Sequence, residues 1–187
     1  MRPDLEAFPW QKVTRAALVD ILHVAADLRP CARLLCVDST AIDALRAWCS
    51  NACLALIDDP PYVFIGASER RLRDAARADA SPKPHVVTLG RLLGYPECCL
   101  HAMDAVGEAK IDEAARSAAG WKLTGRFRLL DVTNYLDGVA LLSHVPCSPT
   151  CEPSLAMAEA AAAWALEHAP DQSDIEPWAI WLRASGL

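Results

Sequence analysis

Two short stretches of the 187-residue chain carry the side chains best suited to chemistry: "GRLLGYPECCLHAM" (90–103) and "SHVPCSPTCEPSLAMA" (143–158). The first sets Cys98 and Cys99 side by side, two residues behind Pro96, with His101 three positions after Cys98. The second spaces Cys147 and Cys151 four apart, with His144 three positions before Cys147. Proline suits the first turn of a helix, where its missing N–H is not needed and its fixed φ fits. Pro96 therefore predicts a helix with Glu97, Cys98 and Cys99 in its first turn, and Pro149 or Pro153 predicts a second helix starting beside Cys147 and Cys151. Free backbone N–H groups and the positive end of the helix dipole stabilise anions at such a place, thiolates included.

Four thiolates are the usual ligand set of an iron–sulfur cluster or a structural zinc. Cys98, Cys99, Cys147 and Cys151 supply four, and His101 and His144 stand near enough in sequence to support or replace one of them. Neighbouring side chains on a helix diverge by roughly 100°, which argues against one small ion and for a larger cluster with several metal corners. The expectation is an iron–sulfur cluster of the 4Fe-4S kind, with a redox or small-substrate-activating role. Three alternatives stay open. A zinc-stapled binding or scaffold module would use the same cysteines with His101 and His144, and a metal-free thiol oxidoreductase would use a helix-N-terminal nucleophile. The four thiols are otherwise simply buried, cysteine being among the most buried residue types.

The remaining polar groups point less clearly. Cys31, Cys36, Cys49 and Cys53 are embedded in apolar sequence and read as core, with Cys49 and Cys53 expected on one face of a helix. Glu97 and Glu152 flank the cysteines, either as supporting acids or as ordinary charges of a helix N-terminus. Asp131, Asn134 and Tyr135 interrupt the apolar helical run "RLLDVTNYLDGVALLSH", where Asn134 lines a pocket or an ordinary helix surface. There is no Walker loop, nucleotide-binding glycine fingerprint, Ser–His–Asp signature or HExxH motif, and no catalytic residue is assigned. Whether the protein is an enzyme stays open.

Together, "LGRLLGYPECCLHAM" and "HVPCSPTCEPSLAMA" resemble a prokaryotic domain-of-unknown-function family (number 483), whose members pair an LGYPxCC element with a later HxPCSxxCxxS element. The resemblance covers about residues 85 to 160. It implies motif roles for Gly94, Tyr95, Pro96, Cys98, Cys99, His144, Pro146, Cys147, Ser148, Cys151 and Ser154. It does not extend to the four early cysteines, and it implies no particular reaction.

The elements that must position these residues follow from periodicity. Residues 12–28 have helical spacing, with His23 inside the pattern at the edge of the core. "ARLLCVDS" reads as a strand running into the N-cap of a helix over "AIDALRAWCSNACLAL" (41–56). A proline turn, the β-rich "YVFIG" and a helix capped by Ser68, "ERRLRDAARADA", come next. "HVVTLG" then leads to the first cysteine motif. Beyond residue 90 helical patterns dominate, including "IDEAARSAAGW", "RLLDVTNYLDGVALLSH", an alanine-rich helix from about 154 and a tail helix bearing Trp178 and Trp181. The expected fold class is α/β. A small α/β portion (about 1–89) packs on a mainly helical portion (about 90–187) that carries the cysteine site, in a single domain over 1–187.

Bulk composition narrows the function classes. With 53% hydrophobic and 22% charged residues the chain is globular rather than disordered. The formal net charge of −6 is unfavourable for general phosphate-backbone binding. The basic runs Arg70, Arg71, Arg73 and Lys122, Arg126, Arg128 read as solvated faces, so no nucleic-acid partner is expected. No apolar run reaches membrane-span length, and "MRPDLEAFPWQK" lacks the apolar core of a signal peptide. A cytoplasmic protein with no membrane partner is expected, and its partner would be a redox protein or a small-molecule substrate. Eight cysteines in a reducing compartment then act as thiols or ligands, not as a disulfide framework.

Overall fold

The structure, a computed structural model, describes residues 9, 13–35, 38–81, 86–133, 135 and 140–168. Helix α1 spans Arg15–Ala25 and ends in a tight reversal, with Asp27 at φ 57° and the Leu28 and Arg29 amides both donating to the His23 carbonyl. Strand β1 (Cys31–Leu35) follows. Asp38 then caps α2 (Ser39–Asn51), its carboxylate accepting from the Thr40 amide at 2.9 Å.

The expected continuation of this helix to residue 56 does not occur. Cys53 takes φ 56°, Leu54 N–H closes the turn onto the Cys49 carbonyl, and Ala55–Asp59 becomes strand β2. A short apolar run serves helix and strand equally well. Here the pairing of β2 with β3 (Tyr62–Gly66) decides, across a turn holding the Pro60–Pro61 peptide. The three strands form an antiparallel sheet in the order β1-β3-β2, with Leu34 opposite Val63 and Ile57 opposite Phe64.

Alternation along the strands gives the sheet two apolar faces. Ala32, Leu34, Val63 and Ile65 join α1 and α2 on one face, through Ile21, Leu22, Leu45 and Trp48. Cys31 and Phe64 face the other way, onto Leu72, Ala75 and Ala76 of α3 (Glu69–Asp79) and Leu93 of α4 (Val86–Leu93). Ser68 caps α3 as expected, accepting from the Arg71 amide. Each leucine or isoleucine enclosed this way contributes about 1.5–3 kcal/mol relative to exposure.

Helices α5 (Glu97–Val106), α6 (Ile111–Ala119) and α7 (Glu152–His168) complete the described helices. The fold is mixed α/β, with its sheet in the N-terminal half and helices dominating after it. Of the helix expected over "RLLDVTNYLDGVALLSH", the first described residues lie in a short 3₁₀ segment, Gly125–Leu130, while 134 and 136–139 lie outside the described residues. Asp131 then turns the chain, its carboxylate accepting from the amide and hydroxyl of Thr133. Beyond it Tyr135 lies in a 3₁₀ turn, and residues 140–148 are irregular. The apolar residues of this stretch still reach the core: Leu129, Leu130, Leu141 and Leu142 are buried beside α1 and Leu155 of α7. Cys36, Asn134, Trp178 and Trp181 lie outside the described residues. Among the described residues no helix is long and apolar enough to cross a membrane.

Candidate metal centre

The first limb of the site is the turn between α4 and α5. Gly94 sits at φ 84°, and a Cβ there would lie 2.5 Å from Pro30 Cδ, so a larger residue meets both strain and a clash. Gly90 has no room either, since a Cβ would fall 2.1 Å from Leu100 Cδ2, and this lets α4 and α5 approach closely. Pro96 is the N-cap of α5, one position earlier than the best proline site, and Glu97 is the first helical residue. Cys98 and Cys99 are therefore the second and third residues of the helix, within its first turn as the sequence predicts.

The second limb is the entry to α7. The Cys151 amide donates to the Ser148 carbonyl at 3.2 Å, and the Cys151 carbonyl accepts from Leu155 at 2.9 Å, the first bond of the helix. Cys151 is thus an N-cap residue. Its sulfur takes the backbone N–H of Ser154, as the oxygen of a serine or aspartate cap would.

These two limbs bring Cys98, Cys99, Cys147 and Cys151 together, with all four sulfurs within 4.8 Å of one another. Cys98 Sγ is 3.9 Å from Cys99 Sγ and 3.7 Å from Cys151 Sγ, and Cys99 and Cys151 are 3.6 Å apart. Adjacency in sequence does not spread the first two thiols: their Cα–Cβ bonds diverge, but both side chains reach the same point. Cys99 and Cys151 are buried, Cys147 is half-buried and Cys98 is exposed. The cluster has a protected inner side and an outer side open to solvent, and its chemistry suits a thiophilic metal.

The surroundings distinguish the four sulfurs. Burial works against a Cys151 thiolate, but hydrogen bonds from Ser154 and from the thiols of Cys147 and Cys99 outweigh it and bring its pKa down to about 7. Burial pushes the Cys99 thiol well up despite help from Ser154 and the Cys147 amide. Burial, with the neighbouring Cys151 and Cys98 thiols, raises Cys147 to about 11. Of Cys99, Cys147 and Cys151, the last is the first to ionise, the order expected when coupled thiols crowd together in unequal surroundings.

The two histidines part company. His101 is exposed and turns to Glu97, 3.6 Å away, outside the four-sulfur group. His144 is buried, with Nε2 2.9 Å from Ser154 Oγ, and that oxygen is 3.2 Å from Cys99 Sγ and 3.3 Å from Cys151 Sγ. Burial and the nearby Arg29 charge depress the His144 pKa to about 3, so its ring is neutral. It leans on Tyr95, with ring centroids 5.0 Å apart.

Behind Tyr95 lies a buried ion pair that the sequence did not reveal. The Arg29 guanidinium stands 4.4 Å over the Tyr95 ring, donates to Asp20 and to Ser143 Oγ at 2.5 Å, and donates to the Leu93 carbonyl at 2.7 Å. Tyr135 donates to the other Asp20 oxygen at 3.1 Å. Arg29 ties α1, the end of α4 and the stretch before His144 into one support. A cavity of ≈ 260 Å³ borders the inner side, against Tyr95, Cys99, Leu100, Met103 and His144.

Other candidates resolve plainly. Glu97 pairs with Arg91 at 2.5 and 2.8 Å, which lowers its pKa, and Glu152 lies 3.9 Å from Arg126. Both are exposed charges at helix starts. Cys31 and Cys49 are core residues, as expected, and burial raises each thiol to about 12. Cys53 is not: it lies past the end of α2, exposed, and shares no helix face with Cys49. His23 is fully buried rather than at the core edge, its Nε2–H donating to the Leu141 carbonyl at 2.8 Å. No family model, curated protein or solved structure matches this chain.

Proposed function

We propose that the four cysteines hold one tetrahedral zinc ion, which staples the α4–α5 turn to the start of α7 in a binding or scaffold module. The observation that carries this is the sulfur spacing. A Zn–S bond of about 2.3 Å sets the edges of a thiolate tetrahedron at about 3.8 Å; the separations among Cys98, Cys99 and Cys151 run from 3.6 to 3.9 Å, and Cys147 lies within 4.8 Å of each. A 4Fe-4S cluster puts each thiolate on a separate iron, so its sulfurs stand farther apart by the iron–iron edge. The close spacing therefore favours a single ion over the cluster expected from adjacent cysteines.

Four protein thiolates fill a tetrahedral ion, and such closed sites are structural rather than Lewis-acid catalytic. When bound, the ion supplies a charge-neutralising cross-link between segments about fifty residues apart. The chain's own contributions are the two helix N-termini and the backbone N–H groups of Ser154 and Cys147, which reach the sulfurs of Cys151 and Cys99. If the paired motifs do mark the domain-of-unknown-function family they resemble, the same staple is expected in its other members.

Metal and acid-labile sulfide analysis of anaerobically purified protein tests the reading. One zinc per chain without sulfide, lost together with Cys147 and Cys151, is the expected result. Zinc retained after both replacements overturns the site. Iron with equimolar sulfide returns the iron–sulfur cluster, and a metal-free protein with a reactive Cys98–Cys151 pair returns the thiol oxidoreductase.

A further inference from the structure

The four sulfurs are not served alike. Ser154, fully buried, places its oxygen between the two inner sulfurs and next to His144 Nε2. Among the described residues no hydroxyl is placed this way at Cys98, which is exposed. The Ser148 hydroxyl, near Cys147, is used by the Thr150 amide at 3.4 Å.

We propose that Ser154 and His144 form a two-step hydrogen-bond relay that holds the inner thiolates Cys99 and Cys151 and sets how tightly the site keeps its ion. The inference rests on the metal reading above. Metal-bound thiolates are acceptors only. The single hydroxyl proton of Ser154 must then point to one of the two sulfurs, leaving an oxygen lone pair facing His144. That lone pair accepts from Nε2–H, so the one proton of the neutral imidazole sits on Nε2.

An independent observation agrees with this orientation: His144 Nδ1 is buried and has no partner among the described residues. A proton on Nδ1 would be an orphaned buried donor, which is rarer in folded proteins than an under-satisfied acceptor. Tyr95 packs against the imidazole at a tilt of 37°, with Arg29 over the Tyr95 ring. Ser154 and His144 are positioning residues that act on the ion through the inner sulfurs, while Cys98 and Cys147 form the side by which the ion enters and leaves.

Zinc affinity by competition with a chromogenic chelator tests the relay, with the thiolate-to-cobalt charge-transfer band of cobalt-loaded protein as a second readout. Removing a partner that orients metal ligands typically lowers affinity about 10- to 100-fold, and this is the drop expected for Ser154→Ala. The cobalt band should also move to lower energy, because a sulfur that loses a hydrogen bond becomes a better electron donor. His144→Phe, which keeps a ring against Tyr95 but has no donor, should weaken binding in the same direction. His144→Gln, whose amide nitrogen can take the place of Nε2, should restore much of it, and Ser148→Ala should leave both readouts unchanged.

The histidine variants carry the test if Ser154→Ala fails to fold. Wild-type protein that binds zinc, with Ser154→Ala unchanged in affinity and band position, overturns the relay alone. A Gln variant as weak as the Phe variant overturns the His144 step. Wild-type protein that takes up no metal overturns the metal reading and the relay with it.

Discussion

The chain contains two kinds of cysteine, and the contrast between its halves shows what separates them. In the α/β half, Cys31 lies on the α3 face of β1 and Cys49 on the inner face of α2, each surrounded by apolar side chains. Burial alone raises Cys49 to about 12, and Arg29 and Arg71 only partly relieve the same effect at Cys31. In the helical half, Cys99 and Cys151 are as well buried, yet they stand at helix starts where N–H groups and Ser154 face the sulfur. These donors bring Cys151 down to about 7 but do not overcome burial at Cys99, so a buried thiol is activated only where its donors outweigh desolvation.

The comparison breaks most visibly under metal removal. A chelator, or Cys151→Ala, should abolish stoichiometric metal and remove the linked stabilisation, about 4 kcal/mol when free metal stands a thousandfold above Kd. Thermal unfolding with and without chelator measures it, and equal midpoints would contradict a metal staple.

Acid is the next largest effect and acts through the other half. His23 takes its proton at about 4 when folded and near 6.5 when unfolded, because burial and Arg29 disfavour its charge. Between those values the unfolded chain binds more protons, so stability falls as pH falls. The contribution is complete above pH 6.5 and gone by about pH 4, and it amounts to about 3 kcal/mol. Denaturant titrations of metal-free protein across this window, with His23→Gln losing most of the slope, separate it from protonation of the thiolates.

Cys49→Ala should cost about 1 kcal/mol, as a small core deletion does, and leave the metal content at the wild-type value. Elemental analysis that shows metal lost in this variant would erase the distinction between the two kinds of cysteine. The smallest effect belongs to His101→Ala. An exposed histidine 3.6 Å from Glu97 should leave the unfolding midpoint within experimental error of wild type, and zinc affinity should not change, which sharpens the boundary of the site at the four sulfurs.

Much of the frame was legible because its signals are local. Asp38 and Ser68 cap helices where the sequence places them, "YVFIG" is a strand, and the alanine-rich helix begins within two residues of the expected position. The misreadings fall where local preference is divided. "LAL" at 54–56 fits helix or strand until β3 supplies a partner. "RLLDVTNYLDGVALLSH" has helical spacing, yet near its start the Asp131 carboxylate accepts from the Thr133 amide and turns the chain.

At the site, the four cysteines that come together were readable from the proline, cysteine and histidine pattern. The sorting of His144 from His101 was not, because both lie three residues from a cysteine. Ser154 drew notice only through the motif resemblance. Asp20 and Arg29 left no signal at all, since a buried ion pair nine residues apart looks like any two charges near the end of a helix.

By itself, then, the sequence determined which residues begin helices and that four cysteines would sit at those beginnings, since caps, prolines and glycines act over a few residues. Only the tertiary structure decided how far apart the sulfurs stand. That distance depends on the close approach of α4 and α5 at Gly90, the turn at Gly94 against Pro30, and the seating of α7 on the core through Leu155 and Ala158. Those contacts join residues distant in the chain, and they bring four sulfurs to within 4.8 Å of one another.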